Sequence, residues 1–354
     1  MSVIYRLKNK SYKIIKGIAT FVRVAFVRRP AVFLFGCPIH SNLGDQAQLM
    51  CIERWARGNF PNHALIGLNY SMSTPLMLDL IKRVIKDQDV ILFHSGYLMV
   101  DHHGELPVLC RVVSSFPRHR ILIFPQTINL QREEVRNKVM EAINGHSDVI
   151  LMCRDEVSYG SAREMFGGST LLLYPDVVTS LIGARSYEGT REGVMFCMRN
   201  DKEAYYTPQD IEGLRDRLAQ VTTCELTDTS VSLSRFEMER CREEVIEGFI
   251  ERMSKFEVVI TDRYHGTIFS LIAATPVIVL SSADHKLVSG VKWFPDSFSE
   301  HVYFASDLDQ AYEIAERVVG GGARHSLPPY FEEKYYSNLW ERVEAAHASE
   351  GGAG

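Results

Sequence analysis

The chain is short of most features that would assign it a class at once, and each shortage removes a set of functions. No run approaches the roughly 18 consecutive apolar residues of a membrane-crossing helix. The basic start lacks the apolar core and small-residue cleavage site of a secretory signal, so a cytoplasmic protein is expected. The seven cysteines (37, 51, 110, 153, 197, 224, 241) are odd in number, scattered and without a C-x-x-C pair. That argues against a disulfide framework or zinc site and for reduced, mostly buried thiols. His94, His102, His103 and Asp101 match no common ligand spacing, so no metal and no cofactor is expected. Neither a G-x-G-x-x-G run nor a P-loop occurs, and no dinucleotide or triphosphate follows from pattern. There is no serine nucleophile elbow and no fixed-period repeat. A net charge of −5 excludes a general nucleic-acid coat.

One absence is local. Residues 1–30 hold eight lysines and arginines and no Asp or Glu, a charge of +8 that leaves −13 on the rest of the chain. Within Ile4–Val27 the apolar residues Ile4, Leu7, Ile14, Ile15, Ile18, Phe21, Val22 and Phe26 recur roughly at helical spacing. Basic amphipathic helices lie on anionic lipid surfaces. This arm therefore predicts a peripheral position at the inner face of the cell membrane. The competing reading is a helix packed on its own protein or on a second subunit.

What the rest of the chain has is alternation. Its 354 residues, 46% of them hydrophobic, suffice for two cores. Continuous apolar runs at Val32–Phe35, Ala64–Leu68, Val90–Phe93, Ile121–Phe124, Val149–Met152 and Leu171–Leu173 alternate with amphipathic stretches. Unbroken hydrophobicity fits strands covered on both faces, and strand–helix alternation predicts a doubly wound parallel sheet. A polar, Gly-rich stretch at 183–193 reads as a linker. A second set follows, with strands at Val194–Met198, Cys224–Leu226, Val258–Ile260, Val277–Leu280 and Val302–Phe304. The expectation is α/β: a Rossmann-like domain over 31–183 and another over 193–320, facing a cleft. A tail over 321–354 holds a helix near Tyr335–Ala346 that packs back on the first domain, then a disordered end.

Two segments carry chemistry. In Val258–Ala274, Asp262, Arg263 and His265 arrive where a buried strand hands over to a helix, the edge at which open α/β sheets bind ligands. The amides of Gly266 and Thr267 are expected to open that helix and favour an anion. Histidine titrates near neutrality. An anionic substrate and acid–base chemistry follow. The second segment, Phe33–Ala47, ends a strand at Gly36. It places Asn42, Gly44 and Asp45 in a loop before a helix expected near Gln46. Its plain alternative is a turn with Asp45 as helix cap.

Together these segments resemble the polysaccharide pyruvyl transferase family. Its Gly-Asn-x-Gly-Asp loop appears as Ser41-Asn42-Leu43-Gly44-Asp45, and its Asp-Arg-x-His-Gly turn as Asp262-Arg263-Tyr264-His265-Gly266. Between them lie Phe124–Thr127, Cys153–Glu156, Tyr174–Asp176 and Met198–Asn200, in the family's order, with Asp284–Lys286 after. Ser41 departs from the usual glycine and is expected to narrow the loop. The resemblance covers about residues 31–320 and implies a fold similar to two-domain B-type glycosyltransferases. It also implies phosphoenolpyruvate as donor, a saccharide acceptor and a pyruvate ketal as product; the basic arm adds the expectation that the acceptor is lipid-linked.

Phosphoenolpyruvate carries a carboxylate and a phosphate, which planar arginine suits. Arg263 is the first candidate, then Arg154, Arg199 and Lys286. His265 is the candidate acid–base. Asp262 either orients His265 or Arg263, or caps the next helix. Asn42, Gly44, Asp45, Gly266, Thr267, Gln126 and His94 are candidate substrate contacts by their places at strand ends. Arg263 and Arg154 each have a structural alternative in a local ion pair. Two other functions remain open: a nucleotide-sugar glycosyltransferase, because fold does not fix function, and an inactive membrane-recruited scaffold.

Overall fold

A computed structural model describes residues 3–199, 204–281, 292–321 and 326–351. The apolar runs build two parallel sheets. The first comprises β1 (Ala31–Phe35), β2 (Ala64–Leu68), β3 (Val90–Phe93), β4 (Gly96–Val100), β5 (Ile121–Asn129), β6 (Val149–Cys153) and β7 (Thr170–Leu173). The second comprises β8 (Val194–Cys197), β9 (Cys224–Thr227), β10 (Val258–Thr261), β11 (Val277–Leu280) and β12 (Val302–Ala305). The helices of the first half are α1 (Val3–Ala25), α2 (Leu43–Asn59), α3 (Pro75–Val84), α4 (Leu106–Ser115), α5 (Glu133–Asn144) and α6 (Glu156–Met165). Those of the second are α7 (Pro208–Leu218), α8 (Arg235–Met253), α9 (Tyr264–Ile272), α10 (Leu308–Val318) and α11 (Leu339–Gly351).

Strand order decides where a site forms. The first sheet runs β2-β1-β3-β5-β6-β7, with β4 on β5, and the second runs β12-β11-β10-β8-β9. In the first, the chain leaves β1 for one side and returns for β3 on the other. In the second, β8 and β10 stand in the same relation. Such reversals open a crevice at the carboxyl ends of the strands. The loops after β1, β3, β8 and β10 are therefore the ones able to meet a ligand.

A backbone clasp joins the two crevices. Asn42 forms an antiparallel bridge with Ser230. The Leu43 amide donates to the Thr229 carbonyl (2.8 Å), and the Val231 amide to that of Ser41 (3.2 Å). The Ser41 hydroxyl also donates to the Val231 carbonyl. Ser41 thus faces the clasp and does not narrow the loop. Beneath the clasp, one buried apolar cluster runs from Val32 and Leu34 of β1 to Val259 of β10 and Val277 of β11. The tail completes it: Phe331 and Leu339 are fully buried there, and Trp340 packs edge-on against Trp55 and Phe60.

Two elements were absent from the sequence expectation. Ser95-Gly-Tyr reads as a loop but leads into β4, and α4 was not anticipated although Pro107 in its first turn is a helix-start signal. β5 also runs past Pro125. Its pairing with β6 shifts register between Ile123 and Gln126, the kind of irregularity that admits proline to an inner strand.

Helix α1 orients unusually. Val24 is buried against the first sheet. Ile14, Ile15, Ile18, Phe21, Val22 and Phe26 face solvent, with Phe26 74% exposed. Among the described residues no helix is long and apolar enough to cross a membrane.

Candidate active site

The centre of the site is a carboxylate with no access to water. Asp176 follows the turn after β7 and caps a short 3-10 helix, Val177–Leu181, by accepting the Val178 amide (3.0 Å). Its side chain is fully buried. A buried charge is tolerated only when paired and hydrogen-bonded. Gln48 of α2 donates to Oδ2 at 2.6 Å, Arg154 Nη1 lies 3.4 Å from the same oxygen, and His265 Nε2 lies 3.6 Å from it. Burial alone would push this carboxyl up. His265, Arg154 and the Val178 amide outweigh that and hold it well below the usual carboxylate range. From sequence alone Asp176 is only the end of Tyr174–Asp176, which reads as a turn or a sugar contact.

His265 is pinned from two directions. It sits in the first turn of α9, and its ring lies on Gly44 in the first turn of α2. A β-carbon on Gly44 would fall 2.1 Å from His265 Nδ1, so only glycine fits beneath the imidazole. A glycine in such a loop permits close approach, and here the approaching group is this histidine. The 3.6 Å to Asp176 is an ion-pair distance when the ring is protonated and too long for a hydrogen bond. His265 Nε2 is buried and makes no hydrogen bond among the described residues.

Arg154 reaches the centre from the end of β6. Its Nη2 donates to Thr127 Oγ1 at 2.6 Å, its guanidinium lies 4.9 Å from the Tyr264 ring centroid, and Trp293 Nε1 donates to its carbonyl. The alternative of a local ion pair, with the adjacent Asp155 or Glu156, does not occur; the partner is Asp176. Asp155 instead caps α6 by accepting from Ser158.

Arg263 takes the ion-pair alternative, with a partner that sequence did not suggest. Its Nη2 lies 2.7 Å from Asp228 Oδ2, just beyond β9. Asp262 does not cap α9, whose N-cap is Arg263 without a side-chain bond. It accepts the Arg199 amide at 2.9 Å, tying the loops after β8 and β10. Burial raises the Asp262 carboxyl, against the opposing Arg199 amide and the Arg263 and Arg199 charges.

Several expected contacts prove structural. Helix α9 starts at Tyr264, not Thr267, and the Thr267 amide and hydroxyl both donate to the Arg263 carbonyl. The amides of Tyr264, His265 and Gly266 open the helix instead. Gly266 packs against the strand, where a β-carbon would meet Thr261 Oγ1 at 2.4 Å. Helix α2 likewise starts at Leu43, capped by Asn42, whose Oδ1 accepts from Gly44 and Asp45. Asp45 is not the cap; its Oδ2 lies 3.6 Å from His40 Nε2. Gln126 is fully buried and committed, donating to the carbonyls of His94 (2.5 Å) and Phe124 (3.0 Å). His94 is buried with Nε2 3.2 Å from the Asp45 carbonyl. Lys286 lies outside the described residues. Glu105, absent from the sequence candidates, is pushed up to about 7 by burial and the nearby Asp45 charge.

Two parallel, doubly wound sheets whose switch-point loops converge define the two-domain architecture shared by B-type glycosyltransferases and sugar epimerases. A solved UDP-N-acetylglucosamine 2-epimerase superposes with a TM-score of 0.53 at 8% identity, over 91% of this chain and 97% of that one. At that identity the likeness concerns the fold alone. The profile of the family described as polysaccharide pyruvyl transferase matches residues 42–285, from the Asn42 cap to beyond His265. The chain belongs to the polysaccharide pyruvyl transferase family and is a transferase of pyruvyl groups to polysaccharide. Among its relatives, General stress protein 30 of Bacillus subtilis is 28% identical over 88% of this chain and 92% of its own. Pyruvyl transferase 1 of Schizosaccharomyces pombe is 25% identical over 75% of this chain and 69% of its own.

His94 gives this site a pH signature. Burial pushes its imidazole down to about 4, against the pull of Asp45. The unfolded chain, at about 6.5, takes up that proton first. Stability from His94 is therefore full above about pH 6.5 and lost progressively as pH falls toward 4. The variant His94→Gln should show a smaller fall in melting temperature than the parent between about pH 7 and pH 4.5. An equal or larger fall contradicts the buried, neutral histidine.

Proposed function

We propose that this transferase takes phosphoenolpyruvate as donor and builds a pyruvate ketal across two hydroxyls of a sugar in a lipid-linked surface-polysaccharide precursor. The observation carrying this reading is the His265 ring seated on Gly44 and facing Asp176, where two strand-end crevices meet. The chemistry needs a proton handler there. One sugar hydroxyl attacks the central carbon of the donor while the methylene carbon takes a proton. Phosphate leaves with its electron pair, and the second hydroxyl closes the ring. Of the two hydroxyl protons, one ends on the methyl group and one on phosphate. His265 gives the first proton and recovers one from a hydroxyl, while the Asp176 carboxylate stabilises positive charge on the ring as it shuttles.

Anion binding falls to the cations around it. Arg199 and Arg263 flank the second crevice. Arg263 meets a donor phosphate or carboxylate by exchanging Asp228 for it, and the first amides of α9 add donors at a positive helix end. Arg154, buried against Asp176 and Thr127, holds the His265 partner in place and supplies a nearby positive charge.

The nucleotide-sugar reading draws on the shared fold, and an inactive scaffold would have no use for a histidine pinned this tightly. Phosphate release that depends on phosphoenolpyruvate, matched by the mass gain of a ketal on the acceptor, supports the proposal. Release of a nucleoside diphosphate from a nucleotide sugar, with no use of phosphoenolpyruvate, contradicts it. His265→Gln, which keeps a hydrogen-bond donor toward Asp176, should lower turnover by about 10²- to 10⁴-fold, the usual worth of general acid–base help, in a protein that melts earlier but still unfolds cooperatively. Full turnover in a folded variant removes His265 from the mechanism.

The same reading puts the enzyme at the cytoplasmic face of an anionic membrane, held by α1. Its outward Ile14, Ile15, Ile18 and Val22 suit shallow burial in lipid, and its high cation content suits anionic headgroups. Each fully buried aliphatic side chain is worth about 1.5–3 kcal/mol. Ile15→Asn, Ile18→Asn and Val22→Asn together should therefore reduce sedimentation with phosphatidylglycerol vesicles at least about tenfold. Unchanged sedimentation, or a parent dimer that these substitutions dissociate, contradicts the membrane assignment.

A further inference from the structure

Away from His265 lies a charged cavity of about 440 Å³, enclosed by α1, the first turns of α8, one face of α2 and the loops after β1 and β2. Its size falls within the roughly 300–1,000 Å³ of small-molecule sites. A surface helix ordinarily turns its apolar face inward and its charges outward. Among the described residues, helix α1 buries only Thr20 and Val24 and departs from that rule elsewhere. Ile14, Ile15 and Ile18 face solvent, as does Phe26 just beyond the helix, while Lys13, Lys16 and Arg23 line the cavity.

The charge there is one-sided. Seven lysines and arginines line the cavity against two carboxylates. Both carboxylates are engaged: Glu239 by Lys16, and Glu53 by Arg242 at 3.1 Å and Arg57 at 3.5 Å. Among the described residues, no carboxylate is within ion-pairing distance of Lys13, Arg23, Arg29 or Arg235. Four clustered cations facing one concavity repel one another, and an anion between them relieves that repulsion.

The cavity also adjoins the catalytic loop. Its wall includes Gln46, two residues beyond Gly44, which is buried. Gln46 Nε2 donates to the His40 carbonyl at 2.7 Å, and its Oε1 accepts from Arg242 Nε at 2.9 Å. Gly44, beneath His265, and Glu53, in the cavity, lie on one helix about 14 Å apart at 1.5 Å per residue. A saccharide bridges such a distance.

We infer that this cavity holds the phosphate or diphosphate through which a lipid carrier bears the acceptor sugar, an inference that rests on the lipid-linked acceptor proposed above. The apolar outer face of α1 then lies in the membrane beside the carrier chain. The inner cations grip the headgroup, and the sugar extends along α2 to His265. The basic face of the arm thus recognises one anchored anion in addition to the general charge of the bilayer.

Calorimetric titration of the full chain with farnesyl diphosphate and with inorganic diphosphate tests this, using the parent and the combined variant Lys13→Gln, Arg23→Gln, Arg235→Gln. The parent should bind farnesyl diphosphate more tightly than inorganic diphosphate, and the variant should weaken the former at least about tenfold. The thermal shift produced by phosphoenolpyruvate should be the same in both proteins. Equal farnesyl diphosphate affinity in parent and variant overturns the site. Inorganic diphosphate binding as tightly as the prenyl form overturns the lipid carrier as its ligand. Neither outcome depends on pyruvyl transfer, which fails separately if phosphoenolpyruvate yields no phosphate.

Discussion

The Asp176 carboxylate is the constraint around which the site is built. It has no exposure to water, so its negative charge must be met by groups the fold delivers to it. Beside the local Val178 amide, those groups come from distant parts of the chain: Gln48 from α2, Arg154 from the end of β6, and His265 from α9. Removing one partner would leave a buried charge partly unmet, which typically costs several kcal/mol. The arrangement thus couples the catalytic geometry to the stability of the interface between the two sheets. Arg154 is doubly secured, by Thr127 and by the face of Tyr264, and cannot move without disturbing residues on both sides.

The second requirement is proximity of two backbones. The clasp between Ser41–Leu43 and Thr229–Val231 draws the loop after β1 against the loop after β9. That brings the first turns of α2 and α9 so close that Gly44 has room only for the His265 ring. Gly266 serves the same end by letting α9 press on Thr261 and Cys197. The two glycines of the paired motifs are therefore explained by packing around one imidazole. The switch-point topology supplies the rest, because it turns the loops after β1, β3, β8 and β10 toward one another.

Much of this was legible before the structure. Val90–Phe93 and Val277–Leu280 are read to the residue because their unbroken apolar runs are bounded by Asp89 and His94 and by Pro276 and Ser281. Helix starts were read two to four residues late at α2 and α9, since Asn42 and Arg263 occupy caps beside residues that look more like caps. Gln126 looked available to a sugar because Pro125 seemed to end its strand. The bulge carries β5 onward and buries the amide. Asp228 was invisible: nothing in spacing links it to Arg263, 35 residues away, and only tertiary folding makes the pair. Asp176 was underrated for a related reason, as Tyr-Pro-Asp reads as a turn until its burial is known. The arm's amphipathic pattern is plain in the sequence, but that Val24 packs inward, that Ile14, Ile15 and Ile18 face solvent and that Lys13, Lys16 and Arg23 border a cavity required coordinates.

In the proposed mechanism the His265 ring must rest on Gly44 to handle protons for pyruvyl transfer. Gly44→Ala tests this most directly. Alanine is the better residue within a helix by roughly 1 kcal/mol, yet its methyl group would occupy the space of the imidazole. Turnover of phosphoenolpyruvate to phosphate with a saccharide acceptor should fall by at least about 10²-fold, in a folded protein that still binds the donor. Turnover equal to the parent's would show that the imidazole need not sit there, and would contradict the account.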